Sequence, residues 1–215
     1  MEGLTAWMDA GISAYKDKSA FEYNDFVPED PILWLGMDIG IKRDTTAITA
    51  VFHNYEEDKF GLYGHWIFEP PVNMVTQVEP RLMWLLETFR VGGLLFDPYQ
   101  AATTTQTLAV AGYGDLLVEV NQSTEMVHAA NILHALCTSG RLILYKDPVL
   151  RAHFSWANAE QTERGWHIKK RKQTMPIEGV VALAMACLGI TGETGHMQHP
   201  SYSTKSHSRS ALLLP

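Results

Sequence analysis

Three acidic residues stand where a carboxylate can do chemistry. Asp38 follows directly on a short apolar run, Ile32 to Met37, and Asp97 follows directly on another, Gly93 to Phe96. Glu178 lies in the first turn of an apolar helical stretch that closes at about Ile190. If the two runs are parallel strands, both aspartates emerge at the C-terminal edge of one sheet, where open α/β sheets bind ligands. If the last helix packs over the first strand, Glu178 joins them. Carboxylates gathered in apolar surroundings repel one another and call for a cation. Hard oxygen donors select Mg2+ or Mn2+. Two such ions about 4 Å apart activate a water and stabilise the leaving oxygen of a phosphodiester, so phosphodiester hydrolysis is the reaction this set suits. Each acid also has an ordinary reading. Asp38 can simply end a strand, Asp97 before Pro98 can cap the next turn, and Glu178 can complement a helix dipole. Their joint placement carries the argument. Asp44 reads first as a turn residue and second as a supporting metal ligand.

Lys169, Lys170, Arg171 and Lys172 form the dense basic run of the sequence, a few residues ahead of Glu178. The run reads either as a solvated loop or as a flexible arm that grips DNA phosphates beside the metals. No set of Cys and His has zinc spacing. His128, His134 and His153 fall on predicted helices and read as core or surface residues. Cys137 and Cys187 lie in apolar helical patterns and read as reduced core thiols. The net charge of -7, from 24 acids against 17 Lys and Arg, weighs against a passive DNA binder. It weighs less against a metal-dependent nuclease, whose bound cations offset local carboxylates.

The elements that must position these groups can be read from pattern. With 215 residues, 46% of them hydrophobic, the chain suits one domain with its own core. Residues 1–30 read as an N-terminal extension or the remnant of an interdomain linker, with a helix over Leu4 to Tyr15. Residues 31–191 form the domain, and residues 192–215, rich in Ser, His and Gly, read as a disordered tail. Strands are expected over Ile32 to Met37, Thr45 to His53, Phe60 to Phe68, Gly93 to Phe96 and Leu116 to Val120. The acidic Glu56 to Asp58 stretch suits a hairpin turn. Helices are expected over Pro80 to Arg90 and Thr104 to Ala111, from a Ser123 cap to Thr138, from an Asp147 cap to Ala159, and from Pro176 to Ile190. The result is an α/β fold, a mixed five-stranded sheet with helices on both faces. The N-terminus lacks a signal-peptide pattern. No run reaches the roughly 18 apolar residues of a membrane helix.

Six segments then resemble one family, in order and at its spacing. GMDIGIKRDTTAITAVF resembles the first strand and hairpin of the nuclease domain of tailed-phage terminase large subunits. LLFDPYQAATTTQTLAVAGY resembles its fourth strand and following helix. EVNQSTEMVHAANILHALCTSGRLIL resembles the next strand and long helix, and DPVLRAHFSWANAE with HIKK and MPIEGVVALAMACLG resembles the closing segment. The resemblance covers roughly Leu33 to Ile190. It implies an RNase H-like endonuclease that uses Mg2+ or Mn2+ to cut concatemeric double-stranded viral DNA during packaging, in the cytoplasm of the bacterial host. It places the metal-binding acids on Asp38, Asp97 and Glu178. That family usually carries Asp where this chain has Glu178, whose extra methylene sets the carboxylate farther from the backbone. It also carries an ATPase domain ahead of the nuclease, and no G-x-x-x-x-G-K-[ST] phosphate loop occurs here. The chain then reads as an excised domain, a gene fragment or the C-terminal half of a split system, and the resemblance implies a terminase ATPase domain as partner, with the small terminase subunit and the portal protein. Three other readings stand beside it. One is another RNase H-like enzyme, such as a transposase, integrase or resolvase. Another is a sugar-kinase or actin-like ATPase, which needs a longer chain. The last is an inactive domain that docks the portal or a partner ATPase.

Overall fold

The computed structural model describes residues 2–13, 20–40, 44–121 and 123–192. Its first half runs β1 (Glu2–Gly3), α1 (Thr5–Ser13), α2 (Ala20–Phe26), β2 (Ile32–Asp38), β3 (Thr46–Asn54), β4 (Lys59–Phe68), α3 (Glu79–Thr88) and β5 (Arg90–Phe96). It continues with α4 (Pro98–Leu108), β6 (Leu117–Glu119), α5 (Glu125–Thr138), β7 (Leu142–Ile143), α6 (Pro148–Trp156), β8 (Ala157–Thr162), β9 (Gly165–Lys170) and α7 (Glu178–Ile190).

The β-branched and aromatic residues of β2, β3 and β4 make an antiparallel meander. β5 and β6 add to it in parallel beside β2, and β7 adds in parallel beside β4, so the sheet runs β6-β5-β2-β3-β4-β7. The sheet thus has six strands, not five. The sixth, Leu142–Ile143, is two residues long and offers no alternation for pattern reading to detect.

Strand alternation sends side chains to two cores. Leu33, Leu35, Met37, Ile48, Ala50 and Phe52 pack with residues of α2, α3 and α4 on one face. Val51, Leu62 and Leu95 pack with α1, α5, α6 and α7 on the other. α7 is buried almost all round, from Val180 to Gly189, as an interior helix must be to spend so apolar a sequence. Each large side chain fully buried here contributes about 1.5–3 kcal/mol.

A second, three-stranded sheet, β1-β8-β9, stands apart from the first. It corrects two expectations. The helix that Asp147 caps stops at Trp156 rather than Ala159, because Ala157 turns extended and starts β8. The basic run is not a loose arm throughout, since Lys169 and Lys170 are the last residues of β9. Residues ahead of Pro31 join the core: Leu4, Trp7 and Met8 are fully buried, and β1 pairs with β8. Other differences are local. α4 begins at Pro98, α5 begins after Thr124 with no side-chain cap from Ser123, and α7 begins after Ile177 rather than at Pro176. Both cysteines are free and buried, and burial pushes the Cys137 thiol up to about 12. The tail beyond Gly192 lies outside the described residues. Among those residues, no helix is long and apolar enough to cross a membrane.

Candidate active site

Parallel pairing of β2 with β5 sets Met37 opposite Phe96, so Asp38 and Asp97 leave the same sheet edge side by side. Asp97 is 8% exposed and also caps α4, accepting from the Tyr99 amide at 3.0 Å. The capping and functional readings of Asp97 therefore coexist in one side chain.

Glu178 comes to the same place through helix packing. Gly36 lets α7 close onto β2, because a Cβ there would lie 1.9 Å from the Ala182 carbonyl oxygen and 2.8 Å from the Ala186 nitrogen. From that contact, two residues along the strand cover roughly 7 Å, and one turn back along the helix covers about 5.4 Å. Asp38 and Glu178 are thus brought level. Glu178 is 4% exposed, and both its oxygens are engaged. Oε2 accepts from the Thr45 hydroxyl, and Oε1 lies 2.8 Å from Lys170 Nζ.

The electrostatics follow from this crowding. Burial, then Glu178 and Asp97, push the Asp38 carboxyl up to about 7, against a downward pull from Lys170. Burial also works to lower the Lys170 ammonium, but bonds to Glu178 and Asp44 outweigh it and hold the group above the usual lysine range. Lys170 Nζ lies 3.2 Å from Asp44 Oδ2, so Asp44 belongs to the edge of the cluster rather than to a remote turn.

The rest of the basic run faces outward. Lys169 pairs with Glu160 across the hairpin, and Arg171 donates to Asn158 at 2.8 Å. Lys169, Arg171 and Lys172 are exposed. The run thus divides, with one charge among the acids and three on the surface beside them.

Two further residues shape the site. Thr45 bonds Glu178, and His153, 2% exposed, accepts from the Gly179 amide through Nδ1 at 3.1 Å. Burial pushes His153 down to about 4, which keeps that nitrogen free to accept. α6 carries His153 and is fixed in turn by Asp147, which caps it at Leu150 and lies 3.1 Å from His65 on β4. A threonine in a turn and a histidine on a helix carry no sequence signal for these roles.

The donor set suits a divalent cation. Buried carboxylate oxygens outnumber the cations beside them, and burial with the neighbouring acids raises the Asp38 carboxyl to about 7. Among the described residues, no group of three or more His, Cys, Asp or Glu side chains is already arranged to hold a metal ion.

No family model matches this chain, and no curated protein does. Solved structures do. The large terminase of bacteriophage HK97 superposes with a TM-score of 0.64 at 19% identity, covering 77% of this chain and 40% of that one. The large terminase nuclease of the thermophilic phage G20c with bound magnesium gives 0.59 at 16% identity, covering 74% of this chain and 82% of the other. The large terminase nuclease domain of bacteriophage SPP1 with bound Mn gives 0.54 at 11% identity, covering 79% and 90%. This chain spans less than half of the HK97 protein and most of the isolated nuclease domains. Its six-stranded mixed sheet, flanked by helices, is the RNase H-like fold of large terminase nucleases.

Proposed function

We propose that the chain is a metal-dependent endonuclease that cuts double-stranded viral DNA concatemers during genome packaging, in the cytoplasm of the bacterial host. The observation that carries this reading is the meeting of Asp38, Asp97 and Glu178 at one sheet edge, in a fold shared with terminase nucleases. Those three acids would hold Mg2+ or Mn2+, with Asp44 in support. Bound there, a pair of such ions supplies an activated water and stabilises the leaving oxygen of the phosphodiester. Thr45 orients Glu178, and His153 fixes the helix start that carries it. Lys169, Arg171 and Lys172 face solvent next to the acids and would hold the DNA phosphates. A terminase ATPase domain would drive the DNA past this site, with the small terminase subunit and the portal protein as further partners.

Plasmid cleavage by the purified chain, with Mg2+, Mn2+ or EDTA and beside Asp38→Ala, tests the reading. Nicked and linear products that need both metal and Asp38 are expected. A folded protein that cuts with neither ion would leave the domain as a docking module for the portal or an ATPase. The observation that favours this second reading is that Thr45 and Lys170 already engage both oxygens of Glu178.

A further inference from the structure

The last residue of β9 occupies an unusual position for a hairpin lysine. Lys170 is 18% exposed at its side chain, lies 2.8 Å from Glu178 Oε1 and 3.2 Å from Asp44 Oδ2, and its charge is felt at Asp38. Thr45 fills the other Glu178 oxygen, so no oxygen of Glu178 is left without a protein donor. An ammonium is a compact point charge on a flexible four-carbon stem. A divalent ion that shared Glu178 with it would meet repulsion at contact range.

We propose that Lys170 is a positioning residue that serves as a tethered substitute for the metal, bracing Glu178 and Asp44 until a divalent ion displaces its ammonium. It thereby sets the metal concentration at which the site fills. This rests on the metal-dependent reading above.

Three features favour displacement over a permanent ion pair. Lys170 is the last residue of its strand, and its side chain keeps 18% exposure, so solvent reaches it on one side. The surrounding acids outnumber the one ammonium, so a doubly charged ion satisfies them better. Finally, Lys170 Nζ stands between two of the acids, 2.8 Å from Glu178 Oε1 and 3.2 Å from Asp44 Oδ2, where a cation shared by them would stand.

The test titrates Mn2+ into metal-free protein without DNA, at about pH 8, by calorimetry. Lys170→Met is expected to bind Mn2+ roughly tenfold more tightly than the wild type, while Lys170→Arg, which keeps the charge, stays near it. Equal or weaker binding by Lys170→Met overturns the proposal and leaves the metal reading intact. No binding by either protein overturns both. The wild type gives a second reading that needs no substitution. Acetylation of lysine amines, followed by peptide mass spectrometry, is expected to modify Lys170 several-fold faster with saturating Mn2+ than with EDTA. Lys169 and Lys172 should change little. An unchanged or slower rate at Lys170 overturns the proposal even where Lys170→Met fails to fold.

Discussion

The bare Cα of Gly36 faces the carbonyl of Ala182 so closely that a Cβ there would lie 1.9 Å from the oxygen. The obstacle is helix backbone, which cannot rotate away. Gly36→Ala must therefore lift α7 from β2, and Glu178 with it. We expect a loss of about 3 kcal/mol in denaturant unfolding, the upper end of the usual cost of overpacking, because the clash is with backbone. Any folded fraction should also bind Mn2+ poorly. Stability within about 0.5 kcal/mol of wild type would refute the close approach.

Asp97 serves two roles that substitution can separate. Asn keeps the cap on α4 and removes the charge, whereas Ala removes both. Asp97→Asn should therefore match wild type in stability while cleavage falls by about three orders of magnitude, equivalent to ~4 kcal/mol. Asp97→Ala should lose activity equally and also melt lower, by the ~1 kcal/mol of a lost cap. If the two variants unfold alike, Asp97 has no capping role.

Two groups give stability opposite slopes with pH. Asp38, held up at about 7, keeps a proton that the unfolded chain gives up near 4, so its contribution is present at low pH and fades as pH rises to about 7. His153, held down at about 4, stays neutral where the unfolded imidazole is charged, so its contribution is lost as pH falls from about 6.5 to about 4. In metal-free wild type they largely offset one another. A bound ion takes the place of the Asp38 proton, so Mg2+ should raise the melting temperature more at about pH 8 than at about pH 5. Asp38→Asn removes the opposing slope, so the His153 slope is exposed and stability should climb between about pH 4 and 6.5. A metal-induced shift that is flat with pH would contradict the Asp38 assignment.

The exposed cations make a prediction about salt. Each phosphate contact contributes a slope of about 0.9 to the fall of log affinity with log salt concentration. Changing Lys169, Arg171 and Lys172 together to Ala should reduce that slope by up to about three and weaken binding to all sequences alike. Fluorescence anisotropy across a salt series measures it. A slope equal to wild type would remove these residues from the DNA path.

How legible this arrangement was depends on the residue. Asp38 and Asp97 each end an apolar strand, and the parallel order that places them together follows from the strand and helix sequence between them. Glu178 could be located because an apolar helix this long has to be interior. Lys170 was harder. In β9, Ile168 packs against the core and Lys170 shares its face, which is ordinary strand alternation. A segment as polar as Gly165 to Lys170 does not announce itself as a strand, so the inward side of the basic run could not be told from the outward one. β7 was missed for its length. The fate of Thr45 depends on a partner 133 residues away, which no local pattern encodes.

The β8–β9 hairpin is held along β8, which pairs with β1 and buries Ala157 and Ala159, and at two further points. At its turn, Gly165 has φ +123° and lies so close to Asn131 of α5 that a Cβ would meet the amide, while the Trp166 amide donates to Asn131 at 2.8 Å. At its far end, Lys170 is moored to Glu178 and Asp44. A beam supported at both ends transmits force between its supports. Released at Lys170 alone, the beam stays clamped along β8 and at α5, so what comes free over the acids is the lysine side chain and not the strand.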